Sequence, residues 1–186
     1  MNHNLRFFIF QLAEAGRSTM ADFKLISRDA VPLALEKAER YRLLNEPAQA
    51  ESICQDVLEV DPENQQGLVL LVLALTDQFQ TEPTDSFRKA QALVPRLQGE
   101  YERSYYSGII FERRGYAIAS HRGLGSETIA HDWIRRAMDC YEQAERLRAP
   151  GNDDAILRWN SCIRLCQRYH LRPEPQEMFQ PVLGDD

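Results

Sequence analysis

Residues 31–64 read VPLALEKAERYRLLNEPAQAESICQDVLEVDPEN, and the fold is decided by how small, apolar and chain-breaking residues alternate within this stretch. Ala38 and Ala50 are small where two antiparallel helices would cross, which lets the backbones approach closely. Tyr41, Ile53, Cys54 and Val57 supply the larger side chains of the seam, at the i, i+3 and i+4 spacing that keeps residues on one helix face. Between the two patterns Asn45-Glu46-Pro47 interrupts the periodicity. Proline fits the first turn of a helix, where its missing N–H is not needed, so Pro47 marks the start of the second helix. Pro62 pushes Asp61 out of the α region and marks its end. The stretch predicts one helical hairpin.

The same 34 residues resemble a tetratricopeptide repeat, a helix–turn–helix unit of that period. Ala38, Tyr41, Ala50, Cys54, Val57 and Pro62 stand at the spacing that defines the family, while Ala34 and Lys37 replace its usual Trp and Leu. The resemblance implies an all-α, TPR-like array of helical hairpins, an α-solenoid. It also implies that the first helix of each hairpin lines an inner, concave surface that takes a peptide or a helix. It does not carry over the clamp by which some members grip the C-terminus of heat-shock chaperones, because Leu35 and Glu39 stand where that clamp needs Lys and Asn.

A second unit is expected from Gln65 to about Pro95. The run Gly67 to Leu75 is apolar on every face, which a helix tolerates only when neighbours cover it all round, so it reads as the central helix of the stack. Leu outnumbers the β-branched residues there, which argues against a strand. Thr81-Glu82-Pro83-Thr84-Asp85 makes the turn, and Phe87, Ala90 and Val94 are expected to line the second helix. A longer third unit places helices from about Gly99 to His121 and from Glu127 to Arg148, with Ser126 as the N-cap of the latter. Ala137, Tyr141 and Ala144 restore the family spacing, and Asp153-Asp154 opens a last helix to about Tyr169 that is expected to cap the stack. The expected organisation is an N-terminal extension over 1–26, a helical domain over 27–171 and an extended, acidic, proline-rich tail over 172–186. Met20 opens a more polar stretch, so residues 1–19 read as an upstream extension or a mobile arm.

With 186 residues the chain has the size of one domain, and 44% hydrophobic with 27% charged residues exclude a disordered or collagenous composition. A formal net charge of −6 argues against a nucleic-acid partner, since neutralising phosphates needs a basic face. Residues 96–172 carry thirteen basic against ten acidic side chains, in contrast to the acidic remainder, and every base among them is arginine. Planar guanidinium groups pair with carboxylates through two parallel bonds and stack on aromatic rings, so an acidic protein or peptide is the expected partner. Tyr101, Arg103, Tyr105, Tyr106, Arg113, Arg114 and Tyr116, all on the long first helix of the third unit, are the expected partner-binding residues, because Tyr and Arg anchor protein interfaces. The competing account makes half of these tyrosines core and the charges solvated helix faces.

Cys54, Cys140, Cys162 and Cys166 lack the dense spacing of a secreted disulfide scaffold. Phe7-Phe8-Ile9-Phe10 is too short for a signal-peptide core, and the longest other apolar run is about half a membrane span. A bacterial-type reducing cytoplasm and no membrane insertion are therefore expected. Cys162, Cys166 and His170 recur at i, i+4 and i+8, with Cys140 as a further soft ligand, but cysteines packed as small hydrophobes account for the pattern more simply than a metal does. His121 and His131 lie near Ser126, Glu127 and Asp132, yet no nucleophile elbow, phosphate-cradling loop or metalloprotease pattern accompanies them. Gly123-Leu124-Gly125 lacks the third glycine and the preceding strand of a dinucleotide site. The expectation is a non-catalytic interaction module, a scaffold or adaptor without cofactor, and the sequence is compatible with a homo-oligomer. Two alternatives are a chaperone of secretion translocators, which are also small, acidic and built of about three such repeats, and a metal- or redox-dependent enzyme using the Cys/His face.

Overall fold

The computed structural model describes residues 22–174, which form seven α-helices and no strand. Helices α1 (Val31–Leu43) and α2 (Pro47–Val60), α3 (Gln65–Asp77) and α4 (Pro83–Leu93), and α5 (Glu100–His121) and α6 (Ser126–Leu147) make three successive hairpins, and α7 (Asp154–Tyr169) follows them. Single 3₁₀ turns precede α1 at Arg28–Ala30 and follow α4 at Val94–Arg96. The questions of the acidic tail beyond residue 174 and of residues 1–19 lie outside the described residues.

Local chemistry sets the helix starts. Pro32, Pro47 and Pro83 each occupy the first turn of their helix, where proline's fixed φ is already helical. At α3 the Asn64 side chain accepts the Gly67 N–H at 2.8 Å and donates to Asp61 Oδ2 at 2.8 Å, so one residue caps α3 and ties it to the end of α2. Ser126 does not serve as the N-cap expected of it. It is the first helical residue of α6 and is buried, while Gly125 at φ 72° reverses the chain in a left-handed conformation that glycine adopts without strain.

Each helix packs on the next, and α1 also meets α3, α3 meets α5 and α5 meets α7. The odd-numbered helices therefore share a layer, and α3 touches α1, α2, α4 and α5. That placement explains its all-round apolar surface, with Leu68, Leu70, Leu71, Val72, Ala74 and Leu75 all buried. One core joins α1 to α4 with Ile110 and Ala117 of α5, and Ala38 and Ala50 are fully buried in it. Ile26, inside the expected N-terminal extension, packs against this core. In the second hairpin the small buried residues of α4 are Ser86 and Ala90, whereas Phe87 is half-buried and Val94 belongs to the following 3₁₀ turn. A second core joins α5, α6 and α7 around Tyr141, Ile134, Met138 and Cys162, and Leu171 closes it.

The α5–α6 hairpin is long and close. A Cβ on Gly108 would lie 2.5 Å from Tyr141 Cε1, and one on Gly115 would lie 2.7 Å from Ile134 Cδ1 and 3.2 Å from the Ala130 carbonyl oxygen. Glycine at these two positions, seven residues apart, lets the larger residues of α6 seat against the α5 backbone.

Candidate functional site: a cleft between α3, α5 and α7

Helices α3, α5 and α7 enclose a cleft of about 530 Å³. From α3 and the turn after it come Thr76, Asp77, Phe79 and Gln80. Helix α5 contributes Glu112, Arg113, Tyr116 and Ala117, and α7 contributes Arg158, Ser161, Arg164, Leu165, Arg168 and Tyr169. Four guanidinium groups thus face two carboxylates.

Asp77 joins three helices of the shared layer. One carboxylate oxygen accepts Arg42 Nε of α1 at 2.8 Å and the other accepts Arg113 of α5. All three side chains are between 16% and 26% exposed, so these pairs are better shielded from water than ordinary surface salt bridges. Burial, together with the nearby charges of Arg42 and Arg158, pushes the Arg113 guanidinium down to about 10, which leaves it cationic at neutral pH.

Glu112 forms the cleft floor and is 6% exposed. It accepts the Tyr141 hydroxyl at 2.6 Å and lies 3.5 Å from Arg158 Nη1. Burial raises its carboxyl above the ordinary 4.5, while the Tyr141 hydrogen bond and the Arg158 charge work against that rise. The Tyr141 phenol is itself raised by burial and by the carboxylate, so it remains the donor. Burial opposes the charge on Arg158, but Glu112 and the neighbouring tyrosine hydroxyls outweigh it and hold its pKa above the usual value.

Arg164 and Arg168 stand exposed on α7, one turn apart and so separated by about 6 Å along the helix axis. Among the described residues neither is paired with a carboxylate. Beside them Tyr116 and Tyr169 meet edge to face with centroids 6.0 Å apart, and the Tyr116 phenol is raised chiefly through its hydrogen bond with Tyr169.

Of the residues expected to bind a partner, Arg113 and Tyr116 line this cleft and the others do not. Tyr101 stacks on Tyr105 at 5.7 Å, and Tyr105 meets Tyr106 edge-on at 5.2 Å. All three pack against the second core, and burial pushes the Tyr106 phenol up to about 12. Arg103 donates to the Leu97 and Gln98 carbonyl oxygens at 2.7 and 2.9 Å, fastening the first turn of α5 to the loop before it. Arg114, rotated about 100° from Arg113, turns towards α4, donates to the Pro83 carbonyl at 2.9 Å and lies 5.5 Å over the Phe87 ring. A helix presents only some of its side chains to any one neighbour, and composition alone did not give the phase of α5.

Sequence reasoning passed over Asp77, Glu112, Arg158, Arg164, Arg168 and Tyr169. The arginines recur along one side of α7, which was a readable signal, but that helix was expected only to cap the stack. Asp77, two residues past the apolar run Gly67 to Leu75, carried no signal of its own.

Among the described residues no three His, Cys, Asp or Glu side chains converge in a way that would hold a metal ion. Cys162 is fully buried in the second core. Burial raises the Cys162 and Cys166 thiols, and pushes Cys54 up to about 12 and Cys140, where Asp139 adds to the effect, up to about 11. All four therefore remain protonated, poorly nucleophilic thiols at neutral pH. Comparison of the chain with family models, curated proteins and solved structures gave no match.

Proposed function

We propose that this protein is a non-catalytic protein-interaction module, a tetratricopeptide-like hairpin array that captures an acidic peptide segment in the cleft between α3, α5 and α7. The repeat reading is supported by the layer shared by the odd-numbered helices and by Ala38 and Ala50, fully buried in the core of the first hairpin. The observation that carries the functional reading is the cleft's charge. In a chain of net charge −6, Arg164 and Arg168 present cationic groups beside Tyr116 and Tyr169 with no carboxylate to neutralise them among the described residues. Such a patch steers an acidic partner electrostatically, and its guanidinium forks and aromatic edges supply the contacts that hold it. Among the described residues none of the hydroxyls lining the cleft is hydrogen-bonded to a histidine, the arrangement that would activate a nucleophile. The four free cysteines suit a reducing cytoplasm.

The test is binding of the full chain to arrayed random peptides at low ionic strength. Peptides rich in Asp and Glu are expected to be retained over basic and neutral ones, and Arg164→Ala with Arg168→Ala to abolish the preference. Retention that ignores peptide charge contradicts the reading.

A further inference from the structure

The cleft holds two carboxylates of its own, and each is committed: Asp77 to Arg42 and Arg113, Glu112 to Tyr141 and Arg158. What remains is a set of donors. Arg164 and Arg168 lie one turn apart, Ser161 lies about one turn before Arg164 on the same side of α7, and the Tyr116 and Tyr169 side chains stand beside them. We propose that this set receives the phosphoryl group of a phosphorylated peptide, the cleft enclosing the modified side chain and its immediate neighbours. The inference rests on the interaction-module reading and names its ligand.

The match is one of charge and of acceptor number. A phosphoryl monoester carries about −1.5 to −2 charges at neutral pH and three strong acceptor oxygens. Two unneutralised guanidinium groups balance that charge, and each can bind a pair of oxygens through its fork. A single carboxylate brings one charge and two oxygens, so it would leave one arginine unsatisfied. A pair of carboxylates would need two partner side chains placed together over a gap of about 6 Å. The cleft is also the right size for one modified side chain with its flanking backbone, since about 530 Å³ falls within the range of sites that enclose a small ligand. Phe79, Ala117 and Leu165 give it an apolar lining against which that backbone can rest.

The experiment uses the full chain and fluorescent degenerate peptide libraries with a fixed central residue: phosphoserine, phosphothreonine or phosphotyrosine, the unmodified residue, or a Glu-Glu pair. Binding is read by anisotropy, with inorganic phosphate as a competitor. At least one phosphorylated library is expected to bind about tenfold or more tightly than its unmodified and Glu-Glu counterparts, and to lose that advantage in Arg164→Gln with Arg168→Gln. Both arginines are exposed, so the variant is expected to keep the wild-type melting temperature, which separates loss of the site from loss of the fold. Equal binding of the Glu-Glu library overturns the phosphoryl assignment and leaves the acidic-peptide reading standing. Absence of binding to every acidic and phosphorylated library overturns both. Phosphopeptide binding that ignores the arginine variant overturns the assignment as well.

Discussion

The Tyr141 hydroxyl donates a hydrogen bond of 2.6 Å to Glu112 on the cleft floor, and it gets there because its ring lies over Gly108, where a Cβ would come within 2.5 Å of the ring. A packing feature and a charge feature are thus one arrangement. The missing side chain of Gly108 admits the ring of α6, the ring brings a hydroxyl to the carboxylate of α5, and the carboxylate faces Arg158 of α7.

Gly108→Ala is expected to destabilise the fold by about 1–3 kcal/mol, because the Tyr141 ring is fully buried and has little room to retreat. Alanine's advantage over glycine inside a helix, about 1 kcal/mol, works in the opposite direction. Net destabilisation in urea unfolding therefore indicates that close approach dominates. A variant as stable as the wild type, or more so, contradicts this packing.

Glu112 predicts a pH dependence of defined sign. Its carboxyl is raised above 4.5 in the folded protein, so the folded chain holds the proton more tightly than the unfolded chain does. Its contribution to stability is therefore lost as pH rises from the ordinary carboxylate value through the raised one. Relative to Glu112→Gln, which does not titrate, the wild type is expected to lose stability across that window. Tyr141→Phe removes an interaction that favours the ionised form and is expected to make the loss larger. Unfolding free energies of the three proteins measured as a function of pH check this, and a difference between wild type and Glu112→Gln that stays flat with pH contradicts it.

Ala38→Leu and Ala50→Leu are each expected to cost about 1–3 kcal/mol, since both alanines are fully buried in the first hairpin. Thermal melting of the two variants measures this. If neither lowers the melting temperature, the close crossing assigned to α1 and α2 is wrong.

The hairpins were legible because their signals are local. Pro47 starts a helix, Ala38 and Ala50 are small buried residues of the first hairpin, and the run from Gly67 to Leu75 needs neighbours on every side, whereas Pro83, read as part of a turn over 81–85, proves to open α4. The cleft was only partly legible, because it is assembled from positions far apart in the chain. Asp77, Glu112 and Arg158 come together only once the odd-numbered helices share a layer. Arg113 and Arg114 show the second limit. They are adjacent and chemically identical, yet one meets Asp77 in the cleft and the other reaches the Pro83 carbonyl near α4, a difference set by the rotational phase of α5. Tyr101, Tyr105 and Tyr106 likewise have interface chemistry, and they lie partly buried against the second core, outside the cleft.

The most direct measurement of the central claim is an NMR titration of the isotopically labelled full chain, at 21.5 kDa within reach of the method, with a glutamate-rich peptide. The account predicts chemical-shift changes concentrated at Arg113 and Tyr116 on α5 and from Arg158 to Tyr169 on α7, fading as salt screens the guanidinium groups. Shifts confined to α1 and α2, with α7 unperturbed, would place the binding surface elsewhere and contradict it.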